Sequence, residues 1–434
     1  MFDHLGVNYK RSGEFWAEDV PQKMYKVVPY LDMRELGLEK DYLRTENTLD
    51  DLRKTSPNIV TAEALRNIQF MQNFFKKQEL YKKVKYVMGF GTYHQLHYDI
   101  PRKVKVLKPG KPAFRYLYRP YDGGNLDGKS ILVFRTGGIG DLLFIKPNLD
   151  YIKEKYPTCI IRFACGPQYQ SMVENWSCVD EVLDLPFRLS TLENSHYHFM
   201  FEGVIERCKE AHSTNAYRLF TKWLNINLPD EKLIPQQTPK LDKVEECKEI
   251  LKKWNLEENS FIVMQLRASS PIRTPNPIFW HKLILELNTN GYKVLLTDNP
   301  RQSDNVDRFI NELYREKTFI PESVFNFCKH SVSIDYTIAI TSLSKGVIAT
   351  DSALNHLAAS LGKPCVGLYG PFPGEVRLST YPKADWINAV KECAPCFLHG
   401  SKSCPKAGTG WFSPCYNNIN IQEVIDRTER LFNK

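Results

Sequence analysis

From Lys129 onward the chain alternates short apolar runs with longer stretches of helical period. The runs at 131–134, 160–164, 181–183 and 198–201 read as strands with helices between them, which predicts a parallel sheet with crossover helices. A polar, proline-bearing segment at 228–240 reads as a linker. After it, runs at 261–266, 293–297, 347–349 and 365–368 rebuild a second sheet, and an amphipathic helix at 421–432 closes the chain. Residues 1–125 lack this alternation. They offer a helical stretch at 62–81 and then a basic, acid-poor run containing Lys82, Lys83, Lys85, Arg102, Lys103, Lys105, Lys108, Lys111, Arg115 and Arg119. The expected organisation is therefore 1–125, 126–240 and 241–434.

Two junctions in this pattern carry candidate chemistry. At 347–371, VIATDSALNHLAASLGKPCVGLYGP, a strand runs into Asp351 and Ser352, and a helix then continues to Leu361 before Gly362 and Pro364 stop it. N-cap residues there leave first-turn amides pointing outward beside a hydroxyl and His356, which is an anion cradle as well as an ordinary capped helix. At 130–141, SILVFRTGGIGD, a strand ends in a turn built on Gly137, Gly138 and Gly140, with Asp141 at its mouth. Glycine lets backbone approach a ligand closely, and open α/β sheets bind ligands at strand mouths; an aspartate here also serves as a helix cap. Pro147 either begins the regular helix that follows or kinks it.

Two other matches lead elsewhere. Residues 123–130, GGNLDGKS, have the spacing of a phosphate-binding P-loop, but the segment leads into a strand where a P-loop leads into a helix, so it reads as a turn. TGGIGD lacks the G-x-G-x-x-G spacing, and the next strand closes on Phe163, Ala164, Cys165 and Gly166 with no acidic residue for a ribose, so NAD is disfavoured.

Taken together, ILVFRTGGIGD with LLFIKPNLDYIKEKYP, and ATDSALNHLAASLGKP with CVGLYGP, resemble glycosyltransferase family 9, the ADP-heptose:lipopolysaccharide heptosyltransferases and their relatives, from about residue 126 to the C-terminus. The resemblance implies an α/β fold of GT-B type: two Rossmann-like domains facing across a cleft, here with an extra N-terminal region. It implies an inverting, metal-independent transfer with Asp141 as general base. Donor binding would fall to the turn glycines, to Asp351, Ser352, Ala353 and His356 in the family's D-[ST]-G-x-x-H segment, and to Arg267, Ser269, Ser270 and Arg273 in the loop QLRASSPIR. Ala353 departs from the family's usual glycine and narrows the closest approach of a phosphate. The implied donor is an ADP-linked heptose or a related nucleotide sugar, and the implied acceptor a saccharide or glycolipid such as a lipopolysaccharide core. Transfer to a modified nucleic-acid base, and nucleotide-sugar binding without turnover, stay open as alternatives.

Composition narrows the class further. With 434 residues, 42% hydrophobic and 12% aromatic, the chain can bury two or three cores. A net charge of +8 suits phosphorylated sugars, anionic lipid headgroups or nucleic acid without choosing between them. No apolar stretch approaches the ~20 residues of a membrane span, and the N-terminus lacks a signal-peptide core, so the expected location is the cytoplasm, with a place at the inner membrane surface left open. Eleven cysteines, several in strands, read as reduced thiols. Cys393, Cys396, Cys404 and Cys415, with His399 nearby, form either a structural zinc site or a set of free thiols; no cofactor is expected in the reaction.

Overall fold

The computed structural model describes residues 30–31, 84–87, 121, 123–135, 138–184, 187–188, 194–201, 204–207, 209–315, 323–398, 403–407 and 412–433. The expected helix at 62–81, the basic run apart from Lys85, Gly137 and His399 lie outside them. The chain divides into two compact units: Met1–Gly137, Leu149–Cys208 and Trp223–Ile226 in the first, and Gly138–Asn148, Lys209–Lys222 and Asn227–Lys434 in the second.

In the first unit, β1 (Tyr30–Leu31), β2 (Val84–Val87) and β6 (Phe187–Arg188) pair as a small antiparallel sheet. The main sheet is parallel: β3 (Ser130–Phe134), β4 (Ile160–Cys165), β5 (Glu181–Asp184) and β7 (Tyr197–Met200), in the order β5-β4-β3-β7. Every residue of β3 is buried, as a central strand of a parallel sheet requires, and this is why it reads as an unbroken apolar run. Helix α1 (Ile139–Lys155) follows β3, and α2 (Pro167–Glu174) follows β4. Pro147 lies inside α1, which continues through it; the side-chain amide of Asn148 donates to the carbonyl of Phe144 at 3.3 Å. The P-loop lookalike is a turn. Lys129 N–H donates to Leu126 O at 2.9 Å and Gly128 takes a φ of 67°, after which the chain enters β3 and not a helix.

The second unit holds α3 (Ala216–Trp223), whose last residue belongs to the first unit, α4 (Leu241–Lys253) and a six-stranded parallel sheet. Its strands are β8 (Phe261–Gln265), β9 (Lys293–Leu296), β10 (Val324–Asn326), β11 (Gly346–Thr350), β12 (Cys365–Tyr369) and β13 (Ala384–Asn388), in the order β10-β9-β8-β11-β12-β13. The helices between them are α5 (Pro277–Thr289), α6 (Ser303–Arg315), α7 (Ile334–Leu343), α8 (Ala353–Ser360) and α9 (Glu375–Leu378). Helix α5 starts cleanly: Asn276 accepts from Phe279 N–H at 2.8 Å, and Pro277 occupies the first helical position, where no N–H is needed. It then buries Trp280, Leu283, Ile284 and Leu287 in the core, and the Trp280 indole satisfies its N–H on Leu266 O at 2.8 Å. The closing helix α10 (Ile421–Phe432) occupies the predicted span. It adds Val424 and Ile425 to the same core and anchors Arg427 on Asp385 at 2.6 Å. Phe432 lies over Gly346, where a Cβ would come within 2.5 Å of its ring, so β11 must begin on glycine.

Strand order positions the site. In the second sheet β8 comes first in sequence, β9 and β10 lie to one side of it, and β11, β12 and β13 lie to the other. The order reverses between β8 and β11, and it is outside the C-terminal ends of such a pair that open α/β sheets bind ligands. The segments leaving those two ends are 266–274 and 351–353, the very loops that hold Arg273 and Asp351.

Candidate active site

Where β11 gives way to α8, the backbone of Ser352 has N-cap geometry (φ −141°, ψ 166°), yet its side chain makes no capping bond. Its hydroxyl oxygen is buried and has no hydrogen-bond partner. The first-turn amides of α8 are thus not capped by the residue placed to cap them. One residue earlier, Asp351 is only 3% exposed. Its carboxylate faces two guanidinium groups: Arg273 Nη1 lies 3.6 Å from Oδ2, and Arg377 Nε lies 3.8 Å from Oδ1.

The loop after β8 is built to present Arg273. Thr274 Oγ1 donates to Ser270 O at 3.0 Å and accepts from Ala268 N–H at 3.1 Å, which folds 268–274 on itself. Arg273 then donates to Asp351 O at 2.8 Å and to Ser269 Oγ at 2.7 Å. Ser270 is buried within this loop. Arg267 takes a different direction, to the side chain of Gln302 and the neighbourhood of Asp298, so the four loop residues do not act as one group.

Asp141 sits in the first turn of α1. Gly138 has a φ of 86°, and a Cβ on it would overlap the Asp141 carboxylate, so both conformation and space demand glycine there. Gly140, the residue before Asp141, lies against α8: a Cβ at 140 would stand 3.3 Å from His356 Cδ2 and 4.0 Å from Ala353 Cα. Asp141 and its turn, and the 351–356 segment, are therefore neighbours inside the second unit.

His356 is 4% exposed, with its ring edge-on to Phe144 at 4.7 Å. Nδ1 is 2.9 Å from the hydroxyl of Tyr381, which in turn hydrogen-bonds the hydroxyl of Tyr217. Burial keeps both phenols protonated by raising them above the usual tyrosine range. A chain in which Tyr217 donates to Tyr381, and Tyr381 to Nδ1, satisfies all three groups and puts the imidazole proton on Nε2, beside the carbon that faces Gly140. Burial drives the His356 pKa down to about 3; Asp351 opposes that shift, and Arg377 and Arg273 add to it. The group is a neutral donor. A histidine held below its unfolded pKa contributes stability that is complete above about pH 6.5 and is lost as pH falls towards 3, because only the unfolded chain takes up the proton. Between pH 7 and pH 5 the wild-type protein should therefore lose about 2 kcal/mol more unfolding free energy than His356→Gln. Equal losses in denaturant titrations would mean that folded His356 can be protonated.

Sequence reasoning missed Arg377, Tyr217, Tyr381 and Phe144. Only Arg377 left a trace, as a lone cation between Val376 and Leu378 in an apolar turn, and both of those neighbours are buried.

The cysteines lie next to this loop system. Cys415 is buried, 3.1 Å from Ser413 Oγ, and its Sγ abuts Gly370, while Cys393, Cys396 and Cys404 are half-buried. Burial raises the Cys415 thiol, and the Cys404, Cys396 and Cys393 thiols raise it further. Among the described residues, no three His, Cys, Asp or Glu side chains are grouped so as to hold a metal ion. Among the same residues, no helix is long and apolar enough to cross a membrane.

Residues 206–406 match the model of the family described as "Glycosyltransferase family 9 (heptosyltransferase)". That match spans just under half of the 434 residues, and over it the chain is similar to glycosyltransferase family 9. The match takes in both second-unit loops but not the glycine turn at 136–141. A glycosyl transferase family 9 structure from Veillonella parvula is similar at 14% identity and TM-score 0.55, over 71% of this chain and 99% of that one. The E. coli ADP-heptose lps heptosyltransferase II is similar at 16% identity and TM-score 0.55, over 70% and 98%. The dodecameric iron-containing heptosyltransferase TibC of enterotoxigenic E. coli, in complex with ADP-D-beta-D-heptose, is similar at 13% identity and TM-score 0.50, over 71% and 78%. No curated protein matches the chain. At these identities the likeness is one of fold, the α/β GT-B fold with parallel sheets, and the family 9 match with that fold supports sugar transfer.

Proposed function

We propose that this protein is an inverting glycosyltransferase that moves heptose or a related sugar from a nucleoside diphosphate, ADP in the first instance, to a hydroxyl of a saccharide or glycolipid acceptor such as a lipopolysaccharide core. Asp141 takes the acceptor proton as the hydroxyl oxygen attacks the anomeric carbon. The bond from that carbon to the diphosphate breaks on the opposite face, and its electron pair leaves with the diphosphate. The first turn of α8, the Ser352 hydroxyl, the neutral His356 N–H and Arg273 receive the developing charge, so the reaction needs no metal. The contact of Gly140 with His356 and Ala353 carries this reading, because it makes a base and an anion cradle neighbours. The reaction belongs in the cytoplasm, at the inner membrane face when the acceptor is a glycolipid, where the charge of +8 favours anionic headgroups.

The test is direct. Purified protein is incubated with ADP-, UDP-, GDP- and CMP-linked sugars and a saccharide acceptor panel, and nucleotide release is followed by mass spectrometry. Release from one donor, dependent on acceptor, is the expected result; no release from any donor with any acceptor overturns the proposal.

Cys393, Cys396, Cys404 and Cys415 belong to the same proposal as a structural site. Their thiols are soft donors suited to zinc, and although they are not grouped as a metal site in this structure, Cys393, Cys396 and Cys404 are near enough to act on Cys415 electrostatically, so a zinc ion would have to draw them together. Elemental analysis should find about one such metal per chain; a folded, active preparation without metal would remove the site.

A further inference from the structure

Arg377 has no role in the reaction as proposed so far, yet few of the described side chains are as unusually placed. It is 4% exposed, on the short helix α9, far from β8 and β11 in sequence. Its guanidinium carbon stands 4.9 Å from the centroid of the Phe372 ring, within cation–π reach. Its Nε approaches Asp351 Oδ1 at 3.8 Å, too long for a hydrogen bond, and its Nη1 is buried with no partner. Arg273 Nε and Ser352 Oγ are likewise buried without partners in the same surroundings.

Among the described residues, two guanidinium groups face the Asp351 carboxylate, His356 is neutral, and the nearby Tyr369 and Tyr416 are held protonated by burial. The carboxylate stands 3.6 and 3.8 Å from the two groups, beyond hydrogen-bonding distance, in a setting where an imperfectly paired ion costs several kcal/mol. An anion bringing acceptor oxygens to Arg377 Nη1, Ser352 and the first-turn amides of α8 would settle the orphaned donors.

We propose that Arg377 is a direct contact to the departing diphosphate, forming with Arg273 a two-arginine clamp that Asp351 positions from behind. The proposal rests on the donor-binding role given to Ser352, His356 and Arg273 above, and assigns Asp351 to holding the clamp, since its carboxylate would repel the phosphates. Arginine is the residue suited to this, because its planar fork can stack on Phe372 through its face and still present its edge to two phosphate oxygens.

Calorimetric titration of the full chain with ADP, UDP, GDP and CDP identifies the nucleoside diphosphate that binds; adenosine, or the matching free nucleoside, serves as control. Arg377→Met should weaken the diphosphate about 10- to 100-fold, the loss expected of a charged hydrogen bond, and leave the nucleoside unchanged. Arg377→Lys should recover part of the loss, and its melting temperature reports whether the fold is kept. Unchanged diphosphate affinity in folded Arg377→Met or Arg377→Lys overturns the clamp while donor binding stands. Equal weakening of diphosphate and nucleoside also overturns it, by making Arg377 a structural residue. A wild-type protein that binds none of the four removes the donor-binding role itself, and the clamp with it.

Discussion

Asp141→Asn is expected to lower the rate of sugar transfer by about 10²- to 10⁴-fold, the range general-base catalysis supplies, while nucleoside diphosphate affinity stays within about twofold. Asparagine keeps the shape of aspartate and is accepted in the first turn of a helix, so α1 should start as before. The space over Gly138 filled by the Asp141 carboxylate is filled equally well by the amide. What disappears is the capacity to accept a proton, since the amide is not basic. Acceptor oxygen must then attack while still protonated, or pass its proton to water. The donor side of the site lies on α8 and on the loop after β8, and the substitution changes no residue there. Single-turnover transfer measured beside an isothermal titration of donor nucleotide separates the two effects. A variant that transfers within a few-fold of wild type makes Asp141 a helix-capping residue and nothing more.

How much of this could be read from the sequence follows from burial and contact distance along the chain. Strands β3, β11 and β12 are buried throughout, and fully buried strands write themselves as unbroken apolar runs. The strands missed in the second sheet, β10 and β13, are its edges. β10 has three residues and β13 is half-exposed, so neither carries the apolar run that marks a central strand. The junction at Asp351 and Ser352 was readable because strand end, cap and helix are consecutive. Tyr381 was not, because its partner Tyr217 lies 164 positions away and nothing local distinguishes either ring from a core tyrosine. Arg267 and Arg273 look alike in QLRASSPIR; only the fold of the loop turns one toward Asp351 and the other toward Gln302.

Neutralising Asp351 should be costly. Asp351→Ala removes the carboxylate that, among the described residues, faces Arg273 and Arg377, and leaves two guanidinium groups in a buried setting, a change expected to cost about 3–5 kcal/mol. Asp351→Asn separates charge from packing: it keeps the volume and should recover only the part of the loss due to the cavity. Urea unfolding at pH 7 measures both, and an Asp351→Asn variant within 1 kcal/mol of wild type would show that the arginines do not depend on the carboxylate. Ligand response discriminates further. If the two guanidinium groups are what an anion meets, ADP at a fixed concentration should stabilise Asp351→Asn at least as strongly as wild type, because binding free energy adds to folding free energy and the variant leaves both cations without this carboxylate. A carboxylate that instead touched the donor directly would lose ADP stabilisation together with its charge. The same melting series therefore decides whether the Asp351 carboxylate is itself needed for the nucleotide to bind.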